Sequence, residues 1–396
     1  MIIKTDTLSN TLETYPELKD VFETNGFKGL DNKSILKQIG TVSLESVLQN
    51  KRLNVEGFID MLNEHIKEDL TDITLVESKH KENAIDIIGL LPCPVRIPLL
   101  ERFSELSSLD KINHNLKAAS EGLDWLKEDV SKAKNEDDLA DIYISAGFDL
   151  FFEDNLMKKF KDQKVFEDFY NDIEYNSDFN NDQVSLKDPS GDYSMLGVVP
   201  AVFLVNTMVL GDRPMPKTWT DILNPIYEGA ISLPVSDFDL FNAILIHLYK
   251  EFGEEAVFKL GKSLVSSMHP AEMVKSEKRA RVKPAISIMP YFFTKMALPG
   301  SVMQAVWPED GAIISPIFML TKRSKKEELK EVGDMFVSKT TGEILSHKGL
   351  FPSVNKDVDN NLVGKTFKWV GWDYINNNDI GSILKHCMDV FEKGMS

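Results

Sequence analysis

Short apolar runs and longer apolar-periodic stretches alternate along this chain, and they predict buried strands separated by helices. Residues 198–205 form a valine-rich run typical of a strand buried on both faces, and Pro200 indicates that regular pairing starts after it. A second such run covers residues 313–320. A third, residues 84–91, precedes a predicted loop at 92–96 and a predicted helix at 97–106. The pattern therefore predicts an α/β protein.

The order of these elements indicates a parallel sheet in the first half of the main body. Strands are predicted at 84–91, 111–118 and 139–145, with helices at 97–106 and 121–133 between them. In open α/β sheets, ligands bind where the carboxyl ends of strands meet the following loops. We therefore expect binding residues directly after these strands.

Four residues after the first and third strands are candidate ligand contacts. Arg96 is suited to a carboxylate or phosphate, or is a surface arginine in a first helical turn. Cys93 lies beside a helix N-terminus, which lowers a thiol pKa, or is an inert loop cysteine. Ser145 and Gly147 end the third strand with small residues, which let a ligand approach the backbone or simply make a tight turn.

The second half of the main body also has candidate ligand contacts directly after predicted strands. Thr218 is predicted to cap a short helix, and a strand at 229–234 leads into Ser236 and Asp237 at the start of a helix over 240–252. Ser236 offers a hydroxyl, whereas Asp237 competes for the positive helix end or receives a cationic group of the ligand. Tyr291, after a strand at 284–289 and Pro290, is either a cleft residue or a core aromatic.

Composition limits the functions that fit. A chain of 396 residues predicts two or three domains, and 42% apolar with 27% charged residues describes a soluble globular protein. A net charge of −17 disfavours nucleic acid and anionic membranes as partners, although it permits a local cationic pocket. Two cysteines provide no disulfide framework. The N-terminal residues lack signal-peptide and lipidation features and no run of 18 apolar residues occurs, so we expect a cytoplasmic protein without membrane insertion.

Three motifs in order carry a family resemblance: the passage from Met195 to Asp239 with its Thr218-Trp219 and Asn224-Pro225 pairs, the Trp307-Pro308-Glu309-Asp310-Gly311 segment, and residues 141–147. Together they resemble the solute-binding proteins of ABC transporters, within the type II periplasmic-binding fold and its ferric-iron and spermidine-like subgroup. The resemblance implies two α/β lobes joined by crossing strands at 198–205 and 313–320. It also implies capture of a small polar or charged solute by hinge closure.

The resemblance gives the predicted domain boundaries. Residues 1–68 form a helical domain, 69–83 a polar linker, 84–200 the first part of lobe one, 201–312 lobe two, and 313–396 the return through the hinge with the C-terminal helices. The N-terminal helices resemble the small module of iron–sulfur-repair and redox-disulfide-associated proteins. Because this module contains no cysteine here, we expect partner docking or a structural role rather than redox chemistry.

Two alternatives stay open. Ferric-binding relatives use adjacent tyrosines, which this chain lacks, so a metal site would depend on Tyr291, Glu309 and Asp310; Glu309 also counts among the expected solute contacts. An enzyme on the same scaffold is the second alternative, although nucleophile-elbow, Walker, zincin and paired-cysteine motifs are missing. We expect no catalytic residues, no resident metal and no cofactor. A scaffold with a vestigial cleft is a third possibility.

Overall fold

The structure is a computed structural model that describes most of the main body and parts of the N-terminal region. Described are residues 84–119, 122–235, 238–267, 273, 283–297 and 300–395, and, nearer the N-terminus, residues 2–15, 18, 19, 22, 27, 30, 40–51, 55, 58, 59, 62 and 63.

Strands and helices alternate through the described part of the chain. The strands are β1 Ile85–Leu91, β2 Ile112–Ala118, β3 Ile142–Ser145, β4 Ser194–Asn206, β5 Ile231–Leu233, β6 Leu264–Ser267, β7 Ile286–Pro290, β8 Met303–Val306, β9 Ala312–Thr321 and β10 Phe367–Lys368. The α-helices are α1 Leu8–Thr14, α2 Leu44–Asn50, α3 Cys93–Phe103, α4 Asp124–Lys132, α5 Phe148–Phe152, α6 Met157–Asp162, α7 Thr207–Leu210, α8 Trp219–Ile222, α9 Phe238–Phe252, α10 Glu254–Ser263, α11 Lys326–Val337, α12 Lys339–Glu343, α13 Trp372–Asn377 and α14 Ile380–Met395.

Lobe one is built on the first three strands. β1 lies between β2 and β3 and pairs with both in parallel, as the strand–helix–strand order predicts. β9 then adds to β3 in the antiparallel sense, with Ser145 opposite Phe318. The predicted parallel sheet is confirmed, and its three carboxyl ends share one edge.

Lobe two is built around the second half of β4. β7 and β8 both pair with it in the antiparallel sense, and β5 joins β7 and β6 in parallel. The strands connect in the order β2-β1-β3-β9-β4-β7-β5-β6, with β10 beside β9 and β8 beside β4. The two lobes are therefore linked through the long strand that both of them share.

The shared strand changes partner at one point. Residues up to Pro200 pair with β9, where Pro200 lies opposite Ile314, and Ala201 begins the pairing with β7, opposite Pro290. Proline has no backbone N–H to donate, so it fits the end of one ladder. The predicted crossing strands are found, and β4 is longer at both ends than residues 198–205.

Several predicted elements have different bounds. The loop predicted at 92–96 is wrong, because α3 begins at Cys93 and includes Arg96. Prolines suit the first helical turn, where the missing N–H has no partner to lose. Helix α11 begins at Lys326, and Pro290 precedes a 3₁₀ turn, Tyr291–Met296. The cap at Thr218 is confirmed, with a reciprocal hydrogen bond from its own N–H to Asp221.

The N-terminal region has a small apolar core of its own. Leu8, Phe22, Leu44, Leu48 and Leu62 are almost completely buried within it. Thr7 caps α1 and Ser43 caps α2 through their hydroxyls. The predicted domain boundaries and the partner-docking role of this region stay predictions.

Candidate functional site

The site expected from the sequence lies where the two lobes meet. β3 and β4 run in the same direction because both are antiparallel to β9, and β4 continues past Ser145 to the crossing point at Pro200. β7 runs the opposite way and ends at Pro290, opposite Ala201. The carboxyl edge of lobe one and the end of β7 therefore face each other across the crossing.

The lobe-one candidates are mostly fixed within the protein. Arg96 is 4% exposed, and its Nε donates to the carbonyl of Leu116 on β2 at 3.0 Å. Ser145 is completely buried, and its hydroxyl donates to the carbonyl of Ala146 at 2.8 Å. Gly147 is buried at the start of α5 with a φ of 126°, a conformation that favours glycine. Cys93 is half-buried at the first position of α3.

Two lobe-two candidates, Ser236 and Asp237, lie outside the described residues. Glu309 is exposed and forms an ion pair with Lys217 at 3.0 Å, with both side chains more than 60% exposed. It lies on the surface of lobe two. Its backbone N–H donates to the carbonyl of Lys217, so this loop is held against the start of α8.

Tyr291 lies at the junction of the lobes, directly after β7, and its role as a cleft residue stays a prediction. Its ring packs edge-on against Trp307, with centroids 5.2 Å apart and planes at 85°. The ammonium of Lys365 is 4.9 Å from the centroid of each ring and 3.3 Å from the Tyr291 hydroxyl. All three side chains are half-buried. We call Tyr291, Trp307 and Lys365 the junction cluster.

A direct contact between the lobes lies next to the junction cluster. Phe292 of lobe two stacks on Phe351 with centroids 6.2 Å apart and planes at 17°. Lys295 donates to the carbonyl of Lys348 at 2.9 Å. The segment before Phe351 also reaches lobe one, since a Cβ on Gly349 would lie 2.6 Å from Val95 of α3. The segment from Ile344 to Phe351 therefore lies between the two loops that were expected to hold the solute.

Sequence reasoning did not assign three of these contacts. Trp307 was noted as part of a motif without a role, and Lys365 and the Phe292–Phe351 stack were not identified. Lys365 follows Gly364 in a polar loop and carries no local signal, because only the fold brings it to Tyr291, 74 positions away in the chain. A tertiary contact of this kind has no counterpart in hydrophobic periodicity.

The carboxylates near the junction are engaged elsewhere. Asp310 accepts from the backbone N–H of Trp219 at 3.3 Å and lies 3.7 Å from Lys368, and burial raises the pKa of its carboxyl. Lys368 also contacts both carboxylate oxygens of Glu251 at 2.7 Å. Across the described residues, no group of three or more histidine, cysteine, aspartate or glutamate side chains is arranged to hold a metal ion.

Comparison with known families agrees with this geometry. The profile of the bacterial extracellular solute-binding proteins matches residues 137–378, which is more than half of the chain. The chain belongs to this solute-binding protein family. No curated protein sequence matches it significantly. Among the helices that are described, none combines the length and apolar character needed to cross a membrane.

Solved structures with the same fold support the two-lobed arrangement. A periplasmic binding protein named P5PA has a TM-score of 0.56 at 17% identity, over 78% of this chain and 100% of that one. The ferric binding protein from Campylobacter jejuni has a TM-score of 0.55 at 14% identity, over 78% of this chain and 99% of that one. An ABC transporter structure from Clostridium perfringens has a TM-score of 0.56 at 14% identity, over 79% of this chain and 100% of that one. At these identities the likeness shows the fold, which is that of type II periplasmic binding proteins.

Proposed function

We propose that this solute-binding protein captures a small polar or charged solute between its lobes by hinge closure, with β4 and β9 as the hinge. The observation that carries the proposal is the change of partner in β4 between Pro200 and Ala201. A strand that leaves one ladder and enters another provides a few backbone positions at which two rigid lobes rotate.

Contacts between the lobes at the junction suit such a movement. The hydrogen bond from Lys295 to the Lys348 carbonyl joins exposed groups, whereas in the aromatic stack Phe292 is half-buried and Phe351 is buried. An exposed hydrogen bond contributes only about 0.5–1.5 kcal/mol, so breaking it costs little. Opening here separates α3, at the end of β1, from the 3₁₀ turn after β7, at the cost of the Phe292–Phe351 stack.

We favour an organic or oxyanion solute over a bare metal ion. The Tyr291 hydroxyl is approached by the ammonium of Lys365 at 3.3 Å, and a nearby positive charge opposes binding of a cation. A binding role is also favoured over catalysis, because the family is one of solute-binding proteins.

A screen by thermal unfolding tests the proposal. The full chain is heated with amino acids, polyamines, oxyanions and ferric iron in turn, and a captured solute raises stability by about 2.7 kcal/mol at 100 times its dissociation constant. Hydrogen exchange with the best solute is then expected to slow in peptides from both lobes, around residues 92–103 and 291–297. Stabilisation by none of these solutes, or protection confined to one lobe, would contradict the proposal.

Glu309→Gln serves as a matched control for this screen. Glu309 was expected to contact the solute, but the structure places it in an exposed pair with Lys217. We expect the variant to bind the same solute with unchanged affinity.

We further propose that residues 1–68 dock a protein partner, so that the captured solute is presented to it; an ABC transporter permease is one such partner. Affinity capture from cell lysate with the full chain and with a chain lacking residues 1–68 tests this. Partners lost with residues 1–68 support docking, provided that the shortened chain unfolds cooperatively at a similar temperature. Identical partners for both chains would remove the proposal.

A further inference from the structure

One lysine at the junction differs from its neighbours in what it contacts. Lys368, three positions further along, has its ammonium bound by both carboxylate oxygens of Glu251. Among the described residues, Lys365 has no carboxylate partner; it contacts the Tyr291 hydroxyl and two aromatic rings. Its charge is therefore not neutralised within the described protein.

The two rings hold this ammonium in place. They are nearly perpendicular, and Lys365 Nζ is 4.9 Å from each centroid, which is cation–π distance. Trp307 is itself fixed, because its indole N–H donates to the carbonyl of Thr366 at 2.9 Å. The ammonium is thus positioned before any solute arrives.

An ammonium has three N–H donors, and the Tyr291 hydroxyl at 3.3 Å accounts for one of them. The loop before Lys365 reaches into solvent, with Val363 98% exposed and Gly364 at a φ of 75°. Lys365 itself is half-buried, so its side chain keeps some contact with solvent. Charge-assisted hydrogen bonds to a carboxylate or phosphate are roughly twice as strong as neutral ones.

The two acidic side chains that follow Trp307 in the chain are engaged elsewhere. Glu309 is paired with Lys217, and Asp310 is turned toward Trp219 and Lys368. The net charge of −17 disfavours anions over the protein as a whole, so an anion site needs a local positive charge such as that of Lys365.

We propose that Lys365, together with the Tyr291 hydroxyl, binds the anionic group, a carboxylate or phosphate, of the captured solute. This proposal rests on the proposed function and defines its ligand class. The ammonium and the hydroxyl donate to the anion, while the Trp307 ring keeps the lysine chain in position and covers the less polar part of the solute.

Calorimetry with defined probes tests the site on the full chain. Inorganic phosphate and citrate are titrated as anions and putrescine as a cation, at constant ionic strength. We expect phosphate or citrate to bind the wild type, Lys365→Met to weaken that binding at least tenfold, and Lys365→Arg, which keeps the charge, to retain most of it. Lys385→Met removes an equal charge from the exposed face of α14 and is expected to bind like the wild type.

Intrinsic fluorescence locates the bound anion. We expect phosphate or citrate to change the emission of the wild type, and Trp307→Phe to abolish most of that change although four other tryptophans remain. Thermal unfolding without probe checks that each variant is folded.

The outcomes separate this proposal from the proposed function. Equal anion affinity in the wild type and in Lys365→Met, or no binding of either anion, would overturn the anion site. If putrescine alone binds and slows hydrogen exchange in both lobes, solute capture stands and the anion site is wrong. If no probe or screened solute binds, both proposals are wrong.

Discussion

Two aromatic regions of the molecule are built very differently. In the first, rings of α5, of β9 and of the segment around Trp369 and Trp372 form an aromatic wall of buried side chains, with Phe148 5.7 Å from Trp369 and Phe152 5.9 Å from Trp372. In the second, the junction cluster is half-buried and contains a charged group. The aromatic wall comprises Phe148, Phe151, Phe152, Tyr193, Phe318, Trp369 and Trp372.

Two polar atoms of the wall are hydrogen-bonded within the protein, whereas the indole nitrogen of Trp369 is buried without a partner among the described residues. The Tyr193 hydroxyl donates to the carbonyl of Phe151 at 3.0 Å, the indole of Trp372 donates to that of Leu186 at 2.7 Å, and burial raises the pKa of Tyr193 well above its usual range. Separating these buried rings would expose apolar surface to water, which is unfavourable. We infer that the wall stays packed while the junction admits the solute.

The largest expected effect is at the wall. Phe152→Ala removes a ring that is 1% exposed and contacts Tyr193, Phe318 and Trp372. Truncating a buried phenylalanine costs about 3–5 kcal/mol of unfolding free energy, measured by urea denaturation. A loss below about 1 kcal/mol would show that the wall is not a packed core.

A second test concerns the close contact between helices α10 and α14. Gly261 of α10 and Gly394 of α14 lie in contact, and a Cβ on Gly261 would be 2.2 Å from the carbonyl oxygen of Phe391. Gly261→Ala is expected to cost about 1–3 kcal/mol by overpacking, despite the better helix propensity of alanine. Lys259→Ala, at a partly exposed position of the same helix, should stay within about 0.5 kcal/mol, and equal effects of the two changes would contradict the contact.

The matched change at the junction is Phe292→Ala. Phe292 is half-buried and stacks on Phe351, so we expect a loss of about 1 kcal/mol or less, well below that of Phe152→Ala. Urea denaturation of both variants side by side measures the difference. Equal losses would mean that the junction is as rigid as the wall, and the comparison would fail.

Acid sensitivity is the smallest expected effect, and it arises from two neighbouring side chains of α9, His247 and Glu251. The hydrogen bond from His247, with those from Lys368, lowers the pKa of Glu251 from 4.5 to about 2, and burial lowers the pKa of His247. Both groups take up protons more readily when unfolded, so stability falls as pH drops below 6.5 through His247, and again below 4.5 through Glu251.

Unfolding free energies between pH 7 and pH 3 measure this dependence. Glu251→Gln should flatten the part of the curve below pH 4.5, where the carboxylate contributes. Curves of the same slope for Glu251→Gln and the wild type would contradict the assignment.

Much of the architecture followed from local patterns. Continuous apolar runs identified β1, β4 and β9, because strands buried on both faces leave no polar positions, and the order of elements predicted the parallel pairing of β1 with β2 and β3. Thr218 was recognised as a cap because its hydroxyl suits the free N–H groups of a first turn. The predicted solute-binding family and fold class are confirmed, whereas the cytoplasmic location stays a prediction.

The site was less predictable because its contacts are tertiary. Arg96 was expected in a loop, but Pro92 and Pro94 fit the start of α3 and the guanidinium turns inward to β2. Lys365 was not recognised, since a loop lysine is indistinguishable from solvated lysines until Tyr291 and Trp307 are placed beside it. Pattern specifies which residues are buried, and only the assembled fold specifies which polar groups meet.

Small-angle X-ray scattering of the full chain, with and without a solute that stabilises it, tests the central claim most directly. Closure of two lobes about the β4 and β9 crossing predicts a smaller radius of gyration in the bound state, saturating with the calorimetric affinity. A scattering curve that does not change at saturating solute would contradict capture by hinge closure.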